Sequence, residues 1–154
     1  MRTIQVRKLT QEAFAPFGQV LTIEGREAGG NPASHLWYPQ VVVIDDPTSI
    51  NLMQVQPHDF VLKDFEAHDH TTENLIAMDG DLIVGMAPAG ELKAENVTAF
   101  YIPCGLGISL KPSVWHAVPF AMGKPVMSVC IFKNNTSHED IYFNSLEEEL
   151  GLVL

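Results

Sequence analysis

Residues 65–85 read FEAHDHTTENLIAMDGDLIVG. Glu66, His68, Asp69, His70 and Glu73 fall within eight positions, directly ahead of an apolar run. Side chains alternate across an extended strand, so Glu66, His68 and His70 share one face while Phe65 and Ala67 take the other. Glu73 opens the next strand, and a turn over 69–72 would pair the two. Imidazole and carboxylate groups that converge this way suit a divalent ion such as Mn, Fe, Ni or Zn, whose identity affinity alone does not fix. They equally suit proton transfer at a metal-free site. The plain alternative is a solvated hairpin tip.

The surrounding chain is a series of short apolar runs punctuated by turn residues. VLTI, QVVVI, NLMQV, FVLKDFEAH, NLIAM, DLIVGMAP, TAFYIP, GISL, VWHAVPF and VMSVCIF are rich in Val, Ile, Phe and Thr, and are bounded by Gly, Pro, Asn and Asp. That is the pattern of strands. Asp79-Gly80, between two such runs, is a two-residue hairpin signal. Many short strands in 154 residues predict one all-β domain, a sandwich or barrel spanning 1–154. LTQEAFAPFGQV predicts a short N-terminal helix, capped by Thr10, with Phe14 and Phe17 on one face and Gly18 at its end. SLEEELGLVL opens with a capping box, Ser145 and Glu148, and predicts a short C-terminal helix. GREAGGNPASH is the one obvious loop.

Bulk properties narrow the function. Hydrophobic residues make up 46% of the chain, as in a folded globular protein. The net charge of −10, with nine Lys plus Arg, argues against nucleic acid, which demands a basic footprint. No apolar run approaches the ~20 residues of a membrane helix, and MRTIQVRKLT lacks a signal-peptide core. The expected compartment is the cytoplasm, with no membrane partner. Cys104 and Cys130 form no metal-knuckle pair and read as buried small side chains, with Cys104 the candidate thiol. Met53, Met78, Met86, Met122 and Met127 read as core filler. His58 and His138 lie in polar loops.

From His68, Glu73 and Gly80 follow at intervals that resemble the first motif of the cupin superfamily, with Glu66 in the place of the first histidine. YIPCGLGISLKPSVWHAVPF resembles the second, with His116 as the later ligand. The resemblance implies a cupin-like double-stranded β-helix, or jelly-roll barrel. Three stretches, LTQEAFAPFGQVL, EAHDHTTENLIAMDG and VWHAVPF, together resemble the ureidoglycolate lyase family. Glu73 stands where that family carries Gln, Ala117 follows Trp115-His116 where it carries His, and Lys111-Pro112 replaces its His-Arg.

The family resemblance implies a carbon–nitrogen lyase of allantoin and purine breakdown that cleaves ureidoglycolate, a small anion, to glyoxylate and urea. On that reading His116 is the acid or base and Glu66 or Glu73 the second proton-transfer group. His68 orients the substrate or holds a metal, and Lys111 anchors the substrate carboxylate, with Trp115 beside it. If a metal is present, Glu66, His68, Glu73 and His116 hold it. Asn31 and His35 would cover the mouth. A metal-dependent isomerase, epimerase or dioxygenase on another small hydroxy or sugar acid, or a non-catalytic ligand-binding cupin, are the alternatives. Exposed strand edges invite pairing, so a homodimer is expected.

Overall fold

The β-branched and aromatic runs form strands β1 (Arg2–Lys8), β2 (Gly18–Leu21), β3 (Gly29–Asn31), β4 (His35–Trp37), β5 (Thr48–Val55), β6 (Val61–Ala67), β7 (Glu73–Ala77), β8 (Leu82–Ala87), β9 (Thr98–Ile102), β10 (Gly107–Leu110), β11 (Trp115–His116), β12 (Phe120–Ala121), β13 (Val126–Lys133) and β14 (Tyr142–Val153). Two single-turn helices, α1 (Gln11–Phe14) and α2 (Thr136–Glu139), accompany them. The computed structural model describes residues 1–154, apart from the side chains of His35 and Trp37.

Seven strands pair in the order β11-β6-β14-β1-β9-β8-β12, and β11 pairs with β8 as well as with β6. That double pairing of the two-residue β11 curls the sheet round a core of its own, which includes Leu62, Phe65, Ile83, Trp115 and Leu150. Five strands, β2-β10-β7-β13-β5, form the second sheet. A second core, with Phe14, Leu75, Val84, Phe100, Ile108 and Val126, lies between the two sheets. Strand β8 is buried on both faces, serving one core with Ile83 and the other with Val84. The all-β barrel expected from the turn spacing is therefore present.

Several local expectations are overturned. Residues 73–77 do not form a hairpin with either neighbour, because β6 and β8 lie in the seven-stranded sheet and β7 in the five-stranded one. Asp79-Gly80 is a corner between sheets. Asp79 accepts from the Met127 amide at 2.7 Å, and Asp81 accepts from the Cys104 amide at 2.7 Å and from the Tyr101 hydroxyl. The C-terminal segment is strand, not helix. Ser145 does not cap: its hydroxyl donates to Asp64 at 2.6 Å. Leu146 and Leu150, four apart, both reach the core because residues an even number apart share one face of a strand. QVVVI joins no ladder. It runs as a strap whose Val41 carbonyl accepts from Gln19 Nε2 at 2.7 Å.

The N-terminal helix is shorter than expected. Thr10 caps it as predicted, through Ala13 N at 3.1 Å, and Phe14 and Phe17 are buried together against Phe100. The helix stops at Phe14, and Gly18 is needed for a different reason: it pairs with Leu110 in the β2–β10 ladder. A Cβ there would sit 1.7 Å from the Ser109 carbonyl oxygen, which is backbone and has nowhere to go. Gly18→Ala should cost about 3 kcal/mol or more, read as a drop in the urea midpoint; an unchanged midpoint would contradict this packing.

Candidate active site

His116 and Glu66 face one another because β11 and β6 place them directly opposite in their ladder. Glu73 opens β7 on the facing sheet, and His68 follows the last residue of β6. The four side chains converge, with one ligand atom from each lying within 4.8 Å of the others. Glu66 and His68 thus join His116 from the seven-stranded sheet's side, and Glu73 meets them across the gap between sheets, not across a hairpin.

Glu73 Oε2 lies between the imidazoles, 3.0 Å from His68 Nε2 and 3.1 Å from His116 Nε2. Both rings are tethered from behind. His68 Nδ1 lies 2.7 Å from the Asp140 carbonyl and His116 Nδ1 lies 3.1 Å from the Val114 carbonyl. A carbonyl only accepts, so each Nδ1 carries its proton and each Nε2 faces the carboxylates. Glu66 Oε1 is 3.5 Å from His116 Nε2. That nitrogen is buried and has no aligned hydrogen-bond partner, despite its two close carboxylates.

Burial pushes the Glu73 carboxyl up, but the two imidazoles outweigh it and hold Glu73 well below the usual carboxylate range. Burial pushes His116 down, and the Glu73 and Glu66 charges raise it to about 10. His68 is raised as well, burial being offset by Glu73 and the Asp140 carbonyl. The group is a compact array of two carboxylates and two imidazoles with cationic character.

A cavity of about 240 Å³ opens on this array, lined on the other side by Met53, Leu75, Ile108, Cys130 and Phe132. Glu66, its side chain 28% exposed, stands nearest to solvent of the four. Among the described residues, no Lys or Arg lines the cavity.

Other expected site residues lie elsewhere. Ile108 and Leu110 point into the cavity, so alternation turns Lys111 away; its Nζ donates to the Ala15 carbonyl at 2.7 Å. Trp115 alternates with His116, packs edge-on against Tyr142 and donates to the Gly90 carbonyl at 2.8 Å. His70 is exposed, because β6 ends at Ala67 before alternation can carry it inward. Asn31 holds a local turn through Ala33 N, and His35 lies outside the described side chains. His58 is exposed and stacks on Phe120, and His138 is exposed on α2. Of the cysteines, Cys130 is buried as expected but Cys104 is exposed. Met78 is half exposed.

Two residues that the spacing did not reveal matter here. Cys130 lines the cavity from β13, in alternation with Ser128 and Phe132. Asp140 clamps the loop after β6: its carboxylate accepts from the amides of Asp69 at 2.9 Å and His70 at 2.8 Å, while its carbonyl orients His68. No local pattern marks Asp140, which comes from the far end of the chain.

Fold and site together define a small barrel of cupin-like fold with an inward acid–imidazole centre. The chain belongs to the ureidoglycolate lyase family, whose model matches residues 1–152. It is 29% identical over 162 residues to a ureidoglycolate lyase of Burkholderia mallei (strain NCTC 10229), covering 99% of this chain and 95% of that one. It is 25% identical over 166 residues to a ureidoglycolate lyase of Pseudomonas syringae pv. tomato, covering 100% and 96%. Among solved structures, a 3,4-ketoisomerase from Helicobacter canadensis superposes with a TM-score of 0.56 at 12% identity, over 80% of this chain and 88% of that one. This last likeness concerns the fold alone.

Two tests follow from this geometry. Burial, with Glu73 and Glu66 nearby, pushes the Cys130 thiol up to about 12. An excess of a thiol reagent at neutral pH should therefore modify Cys104 rapidly in the native protein, and Cys130 only after denaturation; fast native labelling of Cys130 would contradict its burial. Burial raises the Asp140 carboxyl, and the Asp69 and His70 amides together with the His70 ring bring it below its ordinary value. A depressed folded pKa gives stability that is present above the ordinary carboxylate range and lost as pH falls through the folded value. Asp140→Asn should be less stable than wild type near neutrality, with the gap narrowing between about pH 5 and pH 2 in urea melts.

Proposed function

We propose that this chain cleaves ureidoglycolate to glyoxylate and urea. The observation that carries the reading is the meeting of His116, Glu66, Glu73 and His68 in one small cavity, in a chain of the ureidoglycolate lyase family. At about 240 Å³ the cavity suits a small hydroxy acid better than a larger ligand. The setting we propose is cytoplasmic allantoin and purine breakdown, which rests on the family.

Ureidoglycolate carries a carboxylate, a hydroxyl and a urea nitrogen on one carbon. Elimination breaks the C–N bond as the hydroxyl oxygen becomes the carbonyl of glyoxylate. The hydroxyl loses a proton, and the departing nitrogen takes the bond electrons and gains one. Glu66, at the solvent side of the array, takes the hydroxyl proton. His116 is held protonated and fixed by the Val114 carbonyl, and gives a proton from Nε2 to the nitrogen. Glu73 stays ionised and keeps both imidazoles in place. His68 supplies positive charge to the substrate carboxylate, the role that Lys111 is too far outside to fill.

The same side chains fit a divalent cation. Each histidine has its Nδ1 on a backbone carbonyl, the arrangement that presents Nε2 to a metal, and His116 Nε2 is buried without an aligned partner. Glu66, His68, Glu73 and His116 would hold the ion. When bound, it supplies a counter-charge for the substrate carboxylate and makes the hydroxyl more acidic. Of these four, Glu66 stands nearest to solvent and is the carboxylate placed to move a proton.

Glu73, in the position where the family carries Gln, also favours a second reading: a metal-dependent isomerase, epimerase or dioxygenase on another small hydroxy or sugar acid. Stoichiometric Mn, Fe, Ni or Zn in protein that does not turn over ureidoglycolate would favour it. Under the lyase reading, wild-type protein releases glyoxylate from ureidoglycolate. His116→Ala folds by circular dichroism and loses about 10²- to 10⁴-fold in kcat/KM, while Lys111→Ala stays within about twofold of wild type. Folded wild-type protein that yields no glyoxylate, with and without each added metal, removes the lyase proposal and leaves a binding protein or the second reading.

A further inference from the structure

The cavity has two unlike ends. Glu66, His68, Glu73 and His116 gather at one of them. Of the other described residues that line it, three carry a polar side chain: Asn51, Cys130 and Ser137. Ser137 is exposed on α2, and a thiol is a weak hydrogen-bonding group. Asn51 is the strong one. It stands half-buried on β5, where it pairs with Cys130, which pairs in turn with Leu75. The Asn51 and Glu73 backbones are thus two strand spacings and two residues apart, about 12 Å. Both side chains reach inward, leaving room between them for one small molecule held at both ends.

The Asn51 amide is fixed by its surroundings. Its Nδ2 donates to the Cys130 carbonyl and to the Ser49 hydroxyl, each at 3.2 Å, and to the Ser49 carbonyl at 3.4 Å. A carbonyl only accepts, so the nitrogen has to face these groups and Oδ1 has to face away. Among the described residues nothing donates to Oδ1. The end of the cavity away from the array therefore offers a neutral acceptor, set in an apolar wall with Met53, Leu75 and Phe132. An unpaired acceptor repels a second carboxylate and pairs with an N–H.

We propose that Asn51 determines specificity: its Oδ1 accepts from the terminal N–H of a ureido group while the acid–imidazole array holds the carboxylate and hydroxyl at the other end. The inference rests on the lyase reading for its ligand. The substrate class it defines is a small 2-hydroxy acid that bears, on the hydroxyl carbon, a nitrogen capped by a neutral amide. A hydroxy acid with a second carboxylate in that place has no proton to offer Oδ1, and one with an alkyl group leaves Oδ1 unpaired. Anchoring both ends also fixes the carbon–nitrogen bond that lies between them.

The test compares two probes by calorimetry on the full chain, with and without added Mn. N-carbamoylglycine is ureidoglycolate without its hydroxyl, so it keeps the ureido end and has no hydroxyl proton to lose. Glycolate keeps the carboxylate and hydroxyl and has no ureido end. Wild type should bind N-carbamoylglycine more tightly than glycolate. Asn51→Leu should weaken N-carbamoylglycine about tenfold and leave glycolate within about twofold. Asn51→Ala asks for less room in β5, secures the test if the leucine variant fails to fold, and should give the same split. A residue that only braces β5 against β13 would move both probes or neither. Two results overturn the proposal: a wild type with no preference for the ureido probe, and a folded variant that keeps the preference. Neither measurement needs turnover, so the lyase reading fails separately, on wild-type protein that releases no glyoxylate from ureidoglycolate.

Discussion

Glu73 is an ionised carboxylate inside a barrel, and much of the site's architecture answers the cost of placing it there. A buried charge without partners costs several kcal/mol. Here one oxygen of Glu73 has an imidazole on each side, at 3.0 and 3.1 Å. Each imidazole in turn needs an acceptor for its Nδ1 proton, and those acceptors are backbone carbonyls, Asp140 and Val114. The requirement passes outward: the Asp140 carboxylate holds the amides of Asp69 and His70, and Asp69 accepts from the hydroxyls of Ser113 and Tyr142, each at 2.6 Å. The loop after β6, the turn before β11 and the start of β14 are thereby tied to one another round a single buried acid.

Strand closure supplies the other half of the site. β11 has two residues, yet both join ladders, His116 with Glu66 on one side and with Met86 on the other. That position leaves no freedom to exchange faces: His116 must point to the intersheet cavity and Trp115 to the core of the curled sheet. A slip of one residue would exchange them and put an indole where the array needs an imidazole. Gly85 contributes to the same curl, since a Cβ there would meet Leu62 at 2.5 Å.

What could be read in the sequence was whatever depends on short-range alternation. The opposition of Glu66 to Phe65 and Ala67 is a property of one strand, and it held in the structure. His116 stood out because Trp-His follows a Pro- and Gly-rich turn and a strand. Properties of the tertiary arrangement did not show. Asp79-Gly80 has the chemistry of a hairpin turn, but the same residues make a corner once Asp79 and Asp81 find amides in other strands. Ser145 and Glu148 form a capping box only if Ser145 is free, and Asp64 takes its hydroxyl. Leu146 and Leu150 have helical spacing, but a spacing of four also keeps two side chains on one face of a strand. A strand running from Ile108 toward Trp115-His116 would bring Lys111 to the same end of the barrel as His116, but alternation from Leu110 turns its side chain outward.

The displacement of Lys111 has a consequence for binding. A small anion approaching this chain meets net negative charge, and no Lys or Arg lines the cavity among the described residues. Two carboxylates already stand there. Positive charge at the centre therefore has to come from the imidazoles or from an ion held by the array. Anion binding and cation occupancy then share one free energy: whatever strengthens the first when the second is present must strengthen the second when the first is present, by the same factor. A fixed lysine would have separated the two. On the proposed reading, imidazoles that are neutral as metal ligands and cationic as acids would make affinity for the anion depend on the state of the four side chains.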